Sequence, residues 1–172
     1  MKKILIAVVA VVIAVAAAAT TFAASNGEQK FGPNVGDKMM AFKLSDPTDG
    51  KEYALADLAS GGNDVAIVFM QTACSLCVSE ITELVGAADD LKGKLNVALV
   101  SLDIDSKRIK PYKDGYNIPF PILHDKEAAV LESVKFAATP AIVVVDGKGI
   151  IKKKVDGYNK AELKGIIKAY SK

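Results

Sequence analysis

The stretch Val65-Ala66-Ile67-Val68-Phe69-Met70, followed by Gln71-Thr72-Ala73 and then Cys74-Ser75-Leu76-Cys77, decides the fold of this chain. Six consecutive apolar residues, four of them β-branched or aromatic, form a short run of the kind that makes a strand buried on both faces. After the cysteines the pattern changes. Val78, Ile81, Leu84, Val85, Ala88 and Leu91 recur at steps of three and four, which predicts one face of a helix closing near Gly93. A buried strand, a short loop and a helix therefore follow one another, with both cysteines of the chain at the junction. Two thiols separated by two residues there can pass between dithiol and disulfide with little backbone movement, which marks a redox-active pair.

Working outward, Phe42 and Leu44 alternate with polar neighbours, Asp46-Pro47-Thr48-Asp49-Gly50 carries turn chemistry, and Tyr53 and Leu55 alternate after it. This predicts a small hairpin. Asn96 to Leu102 reads as a second buried strand. Ser106 to Gly115 is expected to be helical in part, with Pro111 weakening the pattern. Ile122 and Leu123 mark a short strand, and Glu127 to Val134 a short helix. Ala141 to Val145 and Ile150 to Val155 flank Asp146-Gly147-Lys148-Gly149, a hairpin signal, and Leu163, Ile166, Ile167 and Tyr170 line a last helix. Strands that first alternate with helices and then close with a hairpin and a helix predict an α/β fold. Its mixed sheet is flanked by helices, with an N-terminal β-hairpin extension and the cysteine loop at the C-terminal end of a central strand.

Residues 1–24 fall outside that domain. Lys2 and Lys3 precede an unbroken apolar stretch from Ile4 to Ala19, and Thr21-Phe22-Ala23-Ala24 offers small residues for cleavage. That layout is a secretory signal. The alternative is an uncleaved anchor, with residues 4–24 tethering the chain to a membrane, since the stretch approaches the ~20 residues that span a bilayer. No cysteine lies at the end of the apolar stretch, which argues against a lipoprotein. Either reading places the remainder outside the cytoplasm, periplasmic or otherwise extracytoplasmic, where disulfides persist. Residues 25–35, polar and containing Gly and Pro, read as a flexible tether, and residues 36–172 as one domain. Without Lys2 and Lys3, 20 basic residues face 20 acidic ones. A near-neutral domain lacks the clustered basic excess of a nucleic-acid binder. The run Lys152-Lys153-Lys154 reads as a solvated strand end.

A thiol attacks a disulfide as thiolate, and an unperturbed cysteine near pKa 8.5 is only ~3% ionised at neutral pH. Cys74 at a helix N-terminus would meet unpaired N–H groups and the positive end of the dipole, both of which favour the thiolate. Cys77, one turn further in, would be more buried. Cys74 is therefore the expected attacking thiol and Cys77 the resolving one. A purely structural disulfide is the first alternative, but closing so short a loop contributes only about 2 kcal/mol. A zinc site needs four ligands, and only Cys74, Cys77 and the single His124 offer themselves, so no metal and no cofactor is expected.

Asp49-Gly50-Lys51, the strand leading into Cys74–Cys77, and Ala138-Thr139-Pro140 followed by Ala141-Ile142-Val143-Val144-Val145-Asp146-Gly147-Lys148-Gly149 together resemble the thioredoxin superfamily. The N-terminal hairpin makes the chain more similar to the exported TlpA/ResA-like thiol–disulfide oxidoreductases, over about residues 35–172. The resemblance implies that Pro140 is the family's cis-proline facing the cysteines. It also implies that Thr139 offers backbone hydrogen bonds to a bound substrate peptide. Glu80, three residues after Cys77, matches an acidic residue that ResA-like members place near the thiols. A carboxyl desolvated there would have a raised pKa and could manage the proton of Cys77; the alternative is a solvated helix glutamate. The implied partners are protein thiols and disulfides and a membrane-bound redox donor, with the chain acting as a reductant.

The chain also departs from that pattern. Ala73 stands where the family often has Trp, and Ser75-Leu76 lacks the proline common between the cysteines of its reductases. Two other functions compete. A peroxiredoxin needs Thr or Ser three residues before its cysteine, a proline upstream and a supporting arginine. Here Gln71 and Ile67 occupy the first two positions, and the only arginine, Arg108, falls in a predicted surface segment. A Sco-like copper-binding module would pair the two cysteines with His124, whose place between Leu123 and Asp125 suits a strand end or a cap instead.

Overall fold

The computed structural model describes residues 30–171. The leader of residues 1–24 and the first part of the expected tether lie outside them. Around the cysteines the chain forms strand β3 (Asp64–Met70) and then a twelve-residue helix, α2 (Ser75–Gly86). β3 lies at the centre of a five-stranded sheet. Parallel β4 (Leu95–Ser101) and β5 (Ile122–His124) lie on one side of it; on the other lie β6 (Ala141–Val145), antiparallel to β3, and β7 (Ile151–Asp156), antiparallel to β6. Two further strands, β1 (Lys43–Ser45) and β2 (Glu52–Ala54), form the separate antiparallel hairpin. The helices are completed by α1 (Leu55–Leu58), α3 (Ala88–Leu91), α4 (Ile109–Gly115), α5 (Ala129–Ser133) and α6 (Lys160–Tyr170).

Period-two alternation along β3 separates two cores. Ala66, Val68 and Met70 face one side, where Cys77, Ile81 and Leu84 of α2, Ile109 and Tyr112 of α4, and Leu163 and Ile166 of α6 cover them. Val65, Ile67 and Phe69 face the other, against Met39, Phe42, Leu55, Val130 and Leu131. Burial of β3 on both faces is the physical reason its sequence is apolar throughout rather than alternating.

Three local outcomes depart from the expectations. The helix after the cysteines is interrupted at Ala87, so that its apolar face continues into α3 after a break. Pro111 sits in the first turn of α4, where a missing N–H breaks no helical bond, so the helix survives it. The lysine run of β7 is not simply solvated. Lys152 pairs with Asp64 at 2.5 Å and Lys153 with Glu162 at 2.5 Å. Lys154 is half-buried, donates to the carbonyls of Pro33 (2.9 Å) and Val134 (2.6 Å), and lies 4.7 Å from the Phe136 ring centre. The hairpin between β6 and β7 turns as its sequence suggests. Asp146 accepts from the N–H groups of Lys148 and Ile150, and Gly149 takes a φ of 82° that favours glycine.

Residues 31–38 run along this end of the sheet. Met39 N–H donates to the Gly149 carbonyl and Ile151 N–H to that of Asp37, each at 2.9 Å. No helix among the described residues is long and apolar enough to cross a membrane.

Candidate active site

β3 delivers the chain to the C-terminal edge of the sheet, and the ends of the three parallel strands are laced together there. Leu102 N–H donates to the Met70 carbonyl (3.0 Å) and Asp125 N–H to that of Ser101 (2.9 Å). The buried Asp103 carboxylate accepts from Thr72 N–H (2.9 Å), Thr72 Oγ1 (2.7 Å) and Ser101 Oγ (2.8 Å). Thr72 stands two residues before Cys74, so Asp103 fixes the loop from which the cysteine projects.

Cys74 is the N-cap of α2, with extended backbone (φ −88°, ψ 108°), and its sulfur accepts the Cys77 N–H at 3.1 Å. A donor is thus already aimed at the sulfur that would carry charge on reduction, at the positive end of a twelve-residue helix. Cys74 is partly exposed and Cys77 is fully buried. The two form a disulfide, with Cα atoms 5.2 Å apart.

Glu80 lies three residues beyond Cys77 on the same side of the helix. It is fully buried, and neither of its carboxyl oxygens has a hydrogen-bond partner. Burial alone pushes its pKa from the ordinary 4.5 up to about 7. One turn on, the half-buried Glu83 accepts from Tyr158 (3.1 Å) and pairs with Lys160 (3.2 Å). These contacts hold the loop between β7 and α6 against α2, and Tyr158 packs on the apolar cluster that contains Cys77. The hydroxyl of Tyr158 also feels the charge of Glu80.

The Thr139–Pro140 bond is cis, and Pro140 is buried just before β6. Phe69 pairs with Ala141, so Pro140 lies at the same end of β3 from which Cys74 departs. The structure thus puts Cys74, Cys77 and Glu80 at the start of α2, with Thr139 and Pro140 in the segment that leads into β6 at the same sheet edge. His124 Nε2 donates to the Asp103 carbonyl at 2.7 Å. That bond occupies the nitrogen and makes His124 part of the strand-end lacing.

Sequence reasoning missed Thr72, Ser101 and Asp103. The available signal was a polar pair, Ser101 and Asp103, closing an otherwise apolar strand. Arg108 was expected on the surface and is exposed, but it also lines a cleft with Thr72, Lys107, Pro111 and Tyr112. A cleft of about 530 Å³ opens elsewhere, where Leu95 and Asn96 begin β4 and Pro121 precedes β5. It lies at the opposite end of the sheet from the cysteines.

This combination, a central β3 whose C-terminal end carries a Cys-x-x-Cys helix cap beside a cis-proline, defines a thioredoxin-like domain. Residues 35–154 match the AhpC/TSA family, to which the chain belongs. The chain is 29% identical over 127 residues to the thiol–disulfide oxidoreductase ResA of Oceanobacillus iheyensis, an alignment covering 72% of this chain and 65% of that relative. The fold is also that of the thioredoxin domain of a thiol–disulfide oxidoreductase from Bacteroides vulgatus (TM-score 0.70, 22% identity, 81% of this chain and 99% of that one). It equally resembles the peroxidoxin BcpB of Mycobacterium tuberculosis (TM-score 0.69, 15% identity, 80% and 95%). The architecture is therefore common to both of these structures.

Proposed function

We propose that this chain is an extracytoplasmic thiol–disulfide oxidoreductase that reduces protein disulfides through Cys74 and Cys77. The observation that carries the reading is the unpartnered Glu80 carboxyl buried one turn beyond a Cys pair that caps a helix. A structural disulfide has no use for a carboxyl kept dry at the cost of its hydrogen bonds. A thiol pair that must gain and lose protons does.

In the dithiol form, Cys74 as thiolate attacks one sulfur of a substrate disulfide. A bond forms between Cys74 Sγ and that sulfur, and the other substrate sulfur leaves as thiolate and takes a proton. Cys77 then loses its proton, for which the Glu80 carboxylate is the acceptor, and attacks Cys74 Sγ. The Cys74–Cys77 disulfide forms as the second substrate sulfur departs. Two electrons have passed to the substrate, and each of its sulfurs has gained one proton. The backbone at Thr139, beside Pro140, supplies hydrogen bonds to the extended substrate segment during both steps. Regeneration requires a dithiol donor, and an extracytoplasmic setting makes a membrane-bound one the natural source. The signal-like sequence of residues 1–24 supports this setting.

The test is a trapping experiment. Cys77→Ser should leave Cys74 able to attack but unable to be resolved, so a stable mixed disulfide with a disulfide-bonded protein substrate should accumulate through Cys74. Accumulation through Cys77 in Cys74→Ser would reverse the roles, and no adduct with either variant would remove the exchange reading.

A further inference from the structure

Lys107 and Arg108 form a short turn immediately before α4, and both side chains are exposed. Neighbouring cations have acidic partners: Lys110 pairs with Asp114 at 3.0 Å and Lys113 with Asp46 at 3.4 Å. Among the described residues, Lys107 and Arg108 form no ion pair. Asp105 shares their turn, but its Oδ1 accepts the Lys107 N–H at 3.0 Å. The two cations line an open cleft of about 480 Å³ with Thr72, Pro111 and Tyr112.

The position of that cleft gives the pair its significance. Thr72 is two residues from Cys74 and is pinned to Asp103 through both its N–H and its hydroxyl. Ile104, which follows Asp103, is 81% exposed, and Leu76 between the cysteines is 53% exposed. Two large apolar side chains left in water on the segments that flank the cysteine loop offer contacts to an incoming chain. The unpaired cations lie on the α4 side.

We propose that this cleft receives an acidic side chain flanking the disulfide of the protein substrate, with Lys107 and Arg108 as its recognition pair. The inference rests on the exchange reading above and sharpens it, since it specifies the charge of the substrate segment. Arg108 can hold a carboxylate through two parallel N–H bonds, while Lys107 supplies a mobile point charge. Exposed pairs of this kind are individually weak and screened by salt, so the preference is modest and ionic-strength dependent.

Three peptides of equal length, each closed by one disulfide and flanked by Glu, Gln or Lys, test this. Their rates of reduction by the dithiol form of the protein are divided by their rates with dithiothreitol, which removes intrinsic differences in reactivity. The Glu peptide should react about three- to tenfold faster than the Lys peptide, with Gln between them, and the gap should shrink in about 0.5 M salt. In the double variant Lys107→Gln, Arg108→Gln the ratio should fall towards one. An unfolded dithiol would also react without preference, so the ratio is read only after the variant's circular dichroism overlays that of the parent. Equal normalised rates in the parent, or an unchanged ratio in the variant, would overturn the acidic preference alone. If the parent reduces none of the three peptides, the exchange reading falls and this inference falls with it.

Discussion

Among the described residues two carboxylates are fully buried, Asp46 in the turn of the N-terminal hairpin and Glu80 on α2, and they are treated in opposite ways. Asp46 accepts from Thr48 N–H (2.7 Å) and Ile122 N–H (2.9 Å), and Lys113 lies at 3.4 Å. Those contacts tie the hairpin to β5 and α4. Glu80 accepts nothing. A buried charge surrounded by donors stabilises a seam, whereas a buried carboxyl without donors has its charged form disfavoured until about neutral pH, where it can both hold and accept a proton. The difference separates a residue that holds the fold from one that the fold keeps available for chemistry.

The sharpest way to break the comparison is at Asp46. Asp46→Ala leaves two N–H groups without their acceptor and Lys113 without its counter-charge. Unfolding of the disulfide form by urea should show a loss of about 4 kcal/mol, from the penalty of orphaned buried donors. A loss below about 1 kcal/mol would mean that water replaces the carboxylate easily.

Glu80→Gln should act in the opposite direction above neutrality. With a folded pKa of about 7 against an ordinary 4.5, Glu80 holds its proton more tightly in the folded state. Its contribution is therefore fully present below about pH 4.5 and is lost as pH rises to about 7. The loss amounts to roughly 3 kcal/mol. The parent's stability should fall across that window more steeply than the variant's, and the variant should be the more stable at pH 8. Parallel stability curves would show that the carboxyl is not kept dry in solution.

A smaller effect is expected at the loop that covers this part of α2. Tyr158→Phe removes the hydrogen bond to Glu83 and should lower stability slightly, read again from urea midpoints. If the loop also shields Glu80, the variant should show a shallower pH dependence of stability than the parent.

The same contrast explains what was legible in the sequence. The apolar run of β3, the three- and four-residue spacing after Cys77, and the turn residues 146–149 are local signals, and each gave its element. The cysteine pair could be singled out by its own spacing, and Glu80, three residues further on, through the resemblance to ResA-like proteins. Asp46 could be read only as a turn residue, because the partners that make it a seam are 67 and 76 residues away. Thr72 and Asp103 are separated by 31 residues, and Lys154 finds its acceptors 20 and 121 residues away. Such partners depend on strand order and register, which periodicity does not encode. The break at Ala87 has no proline or paired-glycine signal, and the neighbouring Gly86 alone did not mark it.

The central claim is that Glu80 serves the cysteine pair, and the pH profile of thiol reactivity tests it most directly. In reduced protein, the rate of Cys74 alkylation should be measured from about pH 5 to 9, a window spanning the carboxyl and thiol values, for the parent and for Glu80→Gln. Ionisation of Cys74 and of Glu80 should each hinder the other, so that the parent titrates as a coupled cluster with more than one apparent step. The variant should show a single step at a shifted position, together with slower resolution of a Cys74 mixed disulfide by Cys77. If the two profiles and the two resolution rates overlay across the window, Glu80 has no part in the chemistry of the pair.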